Sequence, residues 1–413
     1  MLTVAFLLTL IWGIYFLHVR KHVKTGTVFF VMLLMMVIPS WLEMNFLKGY
    51  IVIETDYFNI CVLGILLILG FKPWLEFDKS LRSNAVIKIN PRYIQRFKVI
   101  FTILIICSLI SIIYLLPYAI EGISAGAKDR RAEIQGSTVL PDSFLTTIVV
   151  GIAALNIYNA LFFFISCLHP VFKRYRIWLM ISSLSYIVNC FAFTARDGLI
   201  ILPIFYIVFF SLFKNSMNLT VLRKIKKLLY VLVALLGLFL VSFTLSRFYA
   251  NKNMDEFYNG TLGYIAEQPY VFDNTIQLQD DFHGFELRFP LINRLFGIPK
   301  YEVDRSGTGY ETQFGTMYAE FYSIGGWTPL IVVALVFFSY YYLSIKYLYR
   351  SRKYFGLILM FTVYLYIEVT GLFYCKAGST VLINIFYITL SIIPLYIGNY
   401  IYYGTNNNCN SNY

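Results

Sequence analysis

Long apolar runs separated by short polar gaps recur about eleven times along this 413-residue chain, and that recurrence restricts its fold more than any other feature. Roughly 20 apolar residues in a helix cross ~30 Å of hydrocarbon. Lipid offers the backbone no hydrogen-bonding partner, so such runs are read as membrane-spanning helices. They cover 2–18, 27–47, 57–71, 97–118, 144–168, 177–194, 198–213, 228–249, 326–348, 354–374 and 380–403, those at 57 and 198 being the shortest. With 59% apolar residues, 14% charged residues and a mean hydropathy of +0.67, the chain is not a soluble domain. The expectation is one all-α, polytopic membrane domain over 1–413.

The basic residues alternate from gap to gap. Arg20, Lys21 and Lys24; seven residues from Lys72 to Lys98; Lys173, Arg174 and Arg176; five from Lys214 to Lys227; and Lys346, Arg350, Arg352 and Lys353 together hold 22 of the 34 Lys and Arg residues. Only Glu76 and Asp78 oppose them in those gaps. Positive loops stay cytoplasmic, which puts the N-terminus outside and the C-terminus inside. The net charge of +12 then faces anionic lipid and is no argument for nucleic acid. The basic stretch 72–96 reads as an interfacial cytoplasmic loop, and the Asn-rich tail 404–413 as disordered.

Two outer gaps are long. The first, 121–142, carries the mixed-charge patch Lys128, Asp129, Arg130, Arg131 and Glu133. The second, 250–325, combines charge with many aromatic residues, a composition suited to a folded cap of short helices and turns broken at Pro269, Pro290, Pro299 and 306–309. Its rings suit either interface anchoring or stacking on the C–H faces of sugars.

Arginines at the expected outer surface are the candidates for holding phosphate, because a guanidinium grips phosphate through two parallel hydrogen bonds and stays charged. Arg196 lies in the tight turn Thr194, Ala195, Arg196, Asp197, Gly198, and Arg247 ends the next outward-running span, 228–249. Arg288, Arg294 and Arg305 come from the cap, and Lys376 from the last outer turn. Glu320, just before the span at 326, is the candidate general base. Tyr318 and His283 complete the candidate binding residues. Glu368 lies inside a span, where an ionisable group is costly and ordinarily has a partner or a function, Lys376 being its nearest candidate partner in sequence. The six cysteines suggest neither an external disulfide nor a zinc site. No P-loop, GxGxxG, DxD or HExxH motif occurs in a context that would hold a nucleotide or metal. No cofactor or metal is expected.

The arginine turn at 194–198, the large outer loop, and the run Gly315, Thr316, Met317, Tyr318, Ala319, Glu320, Phe321, Tyr322 leading through Gly325 and Gly326 into a span resemble the oligosaccharide repeat-unit polymerases, including O-antigen polymerases. The resemblance implies a bacterial inner-membrane glycosyltransferase of C-type architecture that joins units carried on undecaprenyl pyrophosphate at the outer leaflet, working beside a flippase and a chain-length regulator. It implies that Arg196 and Arg247 stabilise pyrophosphate charge, Arg288 and Arg294 close from the cap, and Glu320 orients or deprotonates the acceptor. One departure is the absence of a glycine eleven positions after Arg130, Arg131, Arg288, Arg294 or Arg305. An O-antigen ligase shares these features. A lipid-linked oligosaccharide flippase or other transporter is the rival from another class, opposed by the lack of an internal repeat and by the one-sided cap.

Overall fold

The computed structural model describes residues 38–40, 42, 56–81, 86–124, 140–141, 143–193, 195, 197–249, 268–278, 282, 296–297, 315–372, 387, 389–398 and 400–404. The expected span 2–18, nearly all of 27–47, most of both outer loops and the tail beyond Gly404 lie outside the described residues. In chain order the elements are α1 (Tyr57–Ser80), β1 (Val86–Ile89), α2 (Ile94–Ser124), α3 (Phe144–Ala153), α4 (Asn156–Cys167), α5 (Arg176–Ser182), α6 (Ser185–Ala192), α7 (Asp197–Phe213) and α8 (Leu219–Tyr249). They continue with α9 (268–278), α10 (Met317–Gly325), α11 (Trp327–Arg350), α12 (Tyr354–Leu372), α13 (Ile393–Tyr396) and β2 (Ile401–Gly404). Among the described residues six helices are long and apolar enough to cross a membrane: Tyr57–Ser80, Pro91–Ile123, Ile148–Cys167, Asp197–Ser216, Trp327–Arg350 and Tyr354–Gly371. The chain is a mostly helical membrane protein.

The chain divides into two compact units, one comprising Met1–Leu81 with Asn253–Ile397 and the other Arg82–Lys252 with Gly398–Tyr413. In the first, α1 and α11 run in the same direction. Phe58 meets Trp327 near their starts, and Lys72 lies over the Tyr342 ring fifteen residues further along α11. The helix α12 runs back alongside them, with Tyr364 packed on Trp74, Phe337 and Tyr341. Its most apolar window is 94% buried, because a helix that is apolar all round can be enclosed on every side. Gly356 makes that enclosure tight: a Cβ there would collide with the Pro394 carbonyl. The helix α1 continues past Lys72 to Ser80, so the first third of the expected basic loop 72–96 is helical.

In the second unit α2 shows the opposite burial. Val99, Ile103, Ile106, Ile110, Ile113, Leu116, Ile120 and Ile123 form an exposed apolar stripe at intervals of three or four residues. Phe97, Phe101, Ser108, Ser111, Leu115 and Ala119 form the buried face. Apolar side chains on the outward face require hydrocarbon as the surroundings. Gly122 brings α2 against α6 so closely that a Cβ would strike the Phe191 carbonyl.

The runs at 144–168 and 177–194 are each broken once, at 154–155 and at 183–184. Neither break contains Gly or Pro. Each leaves helix-end carbonyls without an intrahelical partner, and the side chains of the facing helix satisfy them. The Ser185 hydroxyl donates to Ala153 O at 3.1 Å, and the Asn159 amide donates to Ser182 O at 3.1 Å and to Ser108 Oγ at 2.8 Å.

The run expected to span 380–403 is corrected at its C-terminal end. Helix α13 stops at Tyr396, and residues 401–404 are a β-strand. This strand pairs antiparallel with β1, Ile401 opposite Ile89 and Gly404 opposite Val86. Tyr400 stacks on Tyr93 with centroids 4.1 Å apart, and Arg96 donates to the Tyr400 hydroxyl at 3.0 Å. The Ile-Tyr-Tyr sequence favours a pleated, half-buried strand once such a neighbour exists.

Candidate functional site

The two sequence-predicted residues whose side chains are described lie on α10. Its N-terminus is capped by Thr316, whose hydroxyl accepts the Ala319 N–H at 3.4 Å. Gly315, just before the cap, lets α10 approach α9, since a Cβ there would sit 2.9 Å from Val271 Cγ1. Glu320 is 3% exposed, and Ser323 donates to its carbonyl at 2.7 Å. Tyr318 is enclosed in the bundle, its hydroxyl donating to Leu66 O of α1 at 3.4 Å.

Helix α10 ends in a turn that only glycine adopts without strain. Gly326 has φ +78° and ψ −149°, and its N–H returns to Tyr322 O at 2.7 Å. The missing side chain also makes room for Phe282, whose ring would be 3.1 Å from a Cβ at that position. Around this turn Phe282 meets Tyr322, Tyr322 meets Trp327 and Trp327 meets Phe58, with centroids 6.0, 5.3 and 6.2 Å apart. The cap aromatics at 282 and 322 therefore pack against the first turns of two long apolar helices. From that edge an open apolar groove of about 340 Å³ runs between Phe58, Val62 and Leu66 of α1 and Trp327, Leu330 and Ile331 of α11.

A polar cluster missed by the sequence reading lies at the same ends. Asp273 of α9 is almost fully buried. Its carboxylate accepts the Asp56 N–H at 3.0 Å, the Asn59 amide at 2.8 Å and the Gln277 amide at 2.9 Å. Burial pushes its carboxyl above the ordinary carboxylate range, Gln277, Asn59 and the Asp56 N–H pull it back, and the neighbouring Asp56 charge adds to the rise. Asp56 itself caps α1, accepting the Phe58 N–H at 2.8 Å. The i, i+4 spacing of Asp273 and Gln277 and the acid preceding an apolar run were both legible. Their meeting across more than 200 residues was not. Pro269, expected to break the cap, lies within the described helical stretch 268–278.

Arg196 lies outside the described residues, but the turn around it is moored. Asp197 accepts from the Tyr186 hydroxyl at 2.6 Å and from the Cys190 thiol at 3.4 Å, and the Ala195 N–H reaches Cys190 O at 2.7 Å. Arg247 falls in the last turn of α8. Arg288, Arg294, Arg305, His283 and Lys376 lie outside the described residues. Cys61, Cys107, Cys167 and Cys190 are free thiols.

Six long apolar helices among the described residues, one of them almost wholly enclosed by protein, define a polytopic helical membrane protein. Comparisons of the chain with protein-family models, with curated proteins and with solved structures found no match.

Proposed function

We propose that the chain is a membrane glycosyltransferase that joins undecaprenyl-pyrophosphate-linked oligosaccharide units into a surface polysaccharide at the outer leaflet of a bacterial cytoplasmic membrane. The observation that supports this reading best is Glu320, buried on a capped helix that leads directly into a long apolar helix and is flanked by Phe282, Tyr322 and Trp327. In this reading Glu320 accepts the proton of the acceptor sugar hydroxyl. The hydroxyl oxygen bonds to the donor's anomeric carbon, the bond from that carbon to the pyrophosphate oxygen breaks, and undecaprenyl pyrophosphate leaves. In the same reading Arg196 and Arg247 stabilise the charge gathering on the leaving group, and Arg288 and Arg294 of the cap loop contact the substrate. The groove between α1 and α11, lined only by apolar side chains, takes part of the prenyl chain. Arg305, His283, Tyr318 and Lys376 are further candidates for substrate contacts.

The test is the size of the surface glycan in a host lacking this chain, with and without the gene restored. Collapse of a ladder to one repeat unit on its normal anchor supports the reading. Full-length polymer retained on its lipid would point to an O-antigen ligase. In the restored strain, Arg196→Ala and Glu320→Gln should each abolish polymer while the protein still inserts; a normal ladder from either removes that residue from the site.

A second reading, a lipid-linked oligosaccharide flippase, is favoured by one observation, the carboxyl of Glu368 buried inside the bundle. Single lipid-linked units trapped on the cytoplasmic side of the deletion strain would support it.

A further inference from the structure

Glu368 is completely buried on α12, within a helix long and apolar enough to cross a membrane. Neither carboxyl oxygen has a hydrogen bond of ordinary geometry. The groups facing it come from three neighbouring helices and its own. From α1 these are Gly70 and the Trp74 indole, a Cβ at Gly70 lying 3.5 Å from Glu368 Oε2. From α10 it is Tyr318, and from α11 Phe338, which meets the same Gly70 surface. From α12 it is Tyr364, whose hydroxyl donates to Gly70 O. Among the described residues no Lys, Arg or His faces it, and its neighbours are aromatic rings and tyrosine hydroxyls.

An ionised carboxylate enclosed in this way loses its hydration and gains no cation from the described residues, whereas a carboxylic acid loses much less. We propose that Glu368 is an intramembrane proton-binding site, its carboxyl carrying a proton while α1, α10 and α12 are packed together. The proton neutralises the carboxyl, letting the acid sit against the α1 backbone at Gly70. Tyr318 links the two acids: it feels the charge of Glu368, its hydroxyl donates to Leu66 O of α1, and it stands two residues before Glu320 on α10. Removal of the proton would place an anion beside Tyr318 and Tyr364 and loosen the seat of α10. The inference stands whether or not the chain polymerises glycans.

The experiment is infrared spectroscopy on the full-length protein in lipid nanodiscs at neutral pH, with and without carboxyl-¹³C glutamate. A carbonyl stretch of a protonated carboxyl group that shifts with the label, persists in Glu320→Gln and vanishes in Glu368→Gln is the expected result. The wild-type protein provides a second readout that needs no variant. A lipid-soluble carbodiimide, which reacts with protonated carboxyls, should modify Glu368 as located by peptide mass spectrometry, and a membrane-impermeant carbodiimide should not. Absence of any labelled protonated-carboxyl band together with an unmodified Glu368 would overturn the proposal, as would a band that survives in a folded Glu368→Gln protein.

Discussion

Replacing Asp273 tests whether α9 is fastened to α1 by its carboxylate. In the structure that carboxylate accepts three hydrogen bonds, two of them from α1 or its cap. Asp273→Ala removes the acceptor and leaves the buried Asn59 amide and the Asp56 N–H without a partner. At about 1–3 kcal/mol for each orphaned donor the two cost about 2–6 kcal/mol, and the released burial cost of the charge brings the expected loss to about 1–4 kcal/mol. Asp273→Asn keeps one acceptor oxygen and removes the buried charge; its cost should be less than half of that. The assay is unfolding in mixed micelles, read by proteolysis of α9 and by tryptophan fluorescence. The pH dependence has a definite sign. Burial raises the folded-state carboxyl above its unfolded value, so the folded protein holds this proton more tightly. That contribution is present at acid pH and lost as pH rises through the raised value. The decline should be present in wild-type protein and absent from Asp273→Asn. An alanine variant within about 0.5 kcal/mol of wild type would refute the reasoning, because that is the range of a surface substitution with no structural role.

Three more substitutions probe the close approaches. Gly122→Ala forces a methyl group into the Phe191 carbonyl, and overpacking of this kind costs about 1–3 kcal/mol; a clear fall in the melting temperature of detergent-purified protein is expected, and an unchanged value would show that α2 and α6 separate freely. Gly326→Ala strains a backbone at φ +78° and crowds Phe282, with an expected loss of about 1–3 kcal/mol; Phe282→Ala in the same chain should recover only the crowding part. Tyr186→Phe removes the hydrogen bond to Asp197, and about 1.5–3 kcal/mol should be lost; equal resistance to unfolding would mean that the 194–198 turn is held by other groups.

How much of the fold was legible differs from helix to helix. Runs such as 354–374 and 198–213 became helices close to their expected limits, because apolar length alone commits a segment to a backbone that satisfies itself. The breaks at 154–155 and 183–184 had no such signal, since Asn159 and Ser185 could be assigned to carbonyls only after the two broken helices faced each other. The end of the last run misled for a related reason. Ile401, Tyr402 and Tyr403 are as compatible with a strand as with a helix, and the choice was made by β1, more than 300 residues earlier.

The site divides in the same way. Glu320 was visible as an acid amid aromatics just before a span. The burial of α10 followed from its packing against α9 and α1. Asp273 was one acid among several in a long loop until folding placed it against Asn59. Transfer from water to hydrocarbon depends on local composition, so the apolar runs alone commit this protein to a membrane and set which segments have the length to cross it. Tertiary structure alone decided which apolar face meets lipid, as on α2, and which meets protein, as on α12. It also decided which distant polar groups satisfy one another, since both faces have the same composition and a hydrogen bond requires its partner in place.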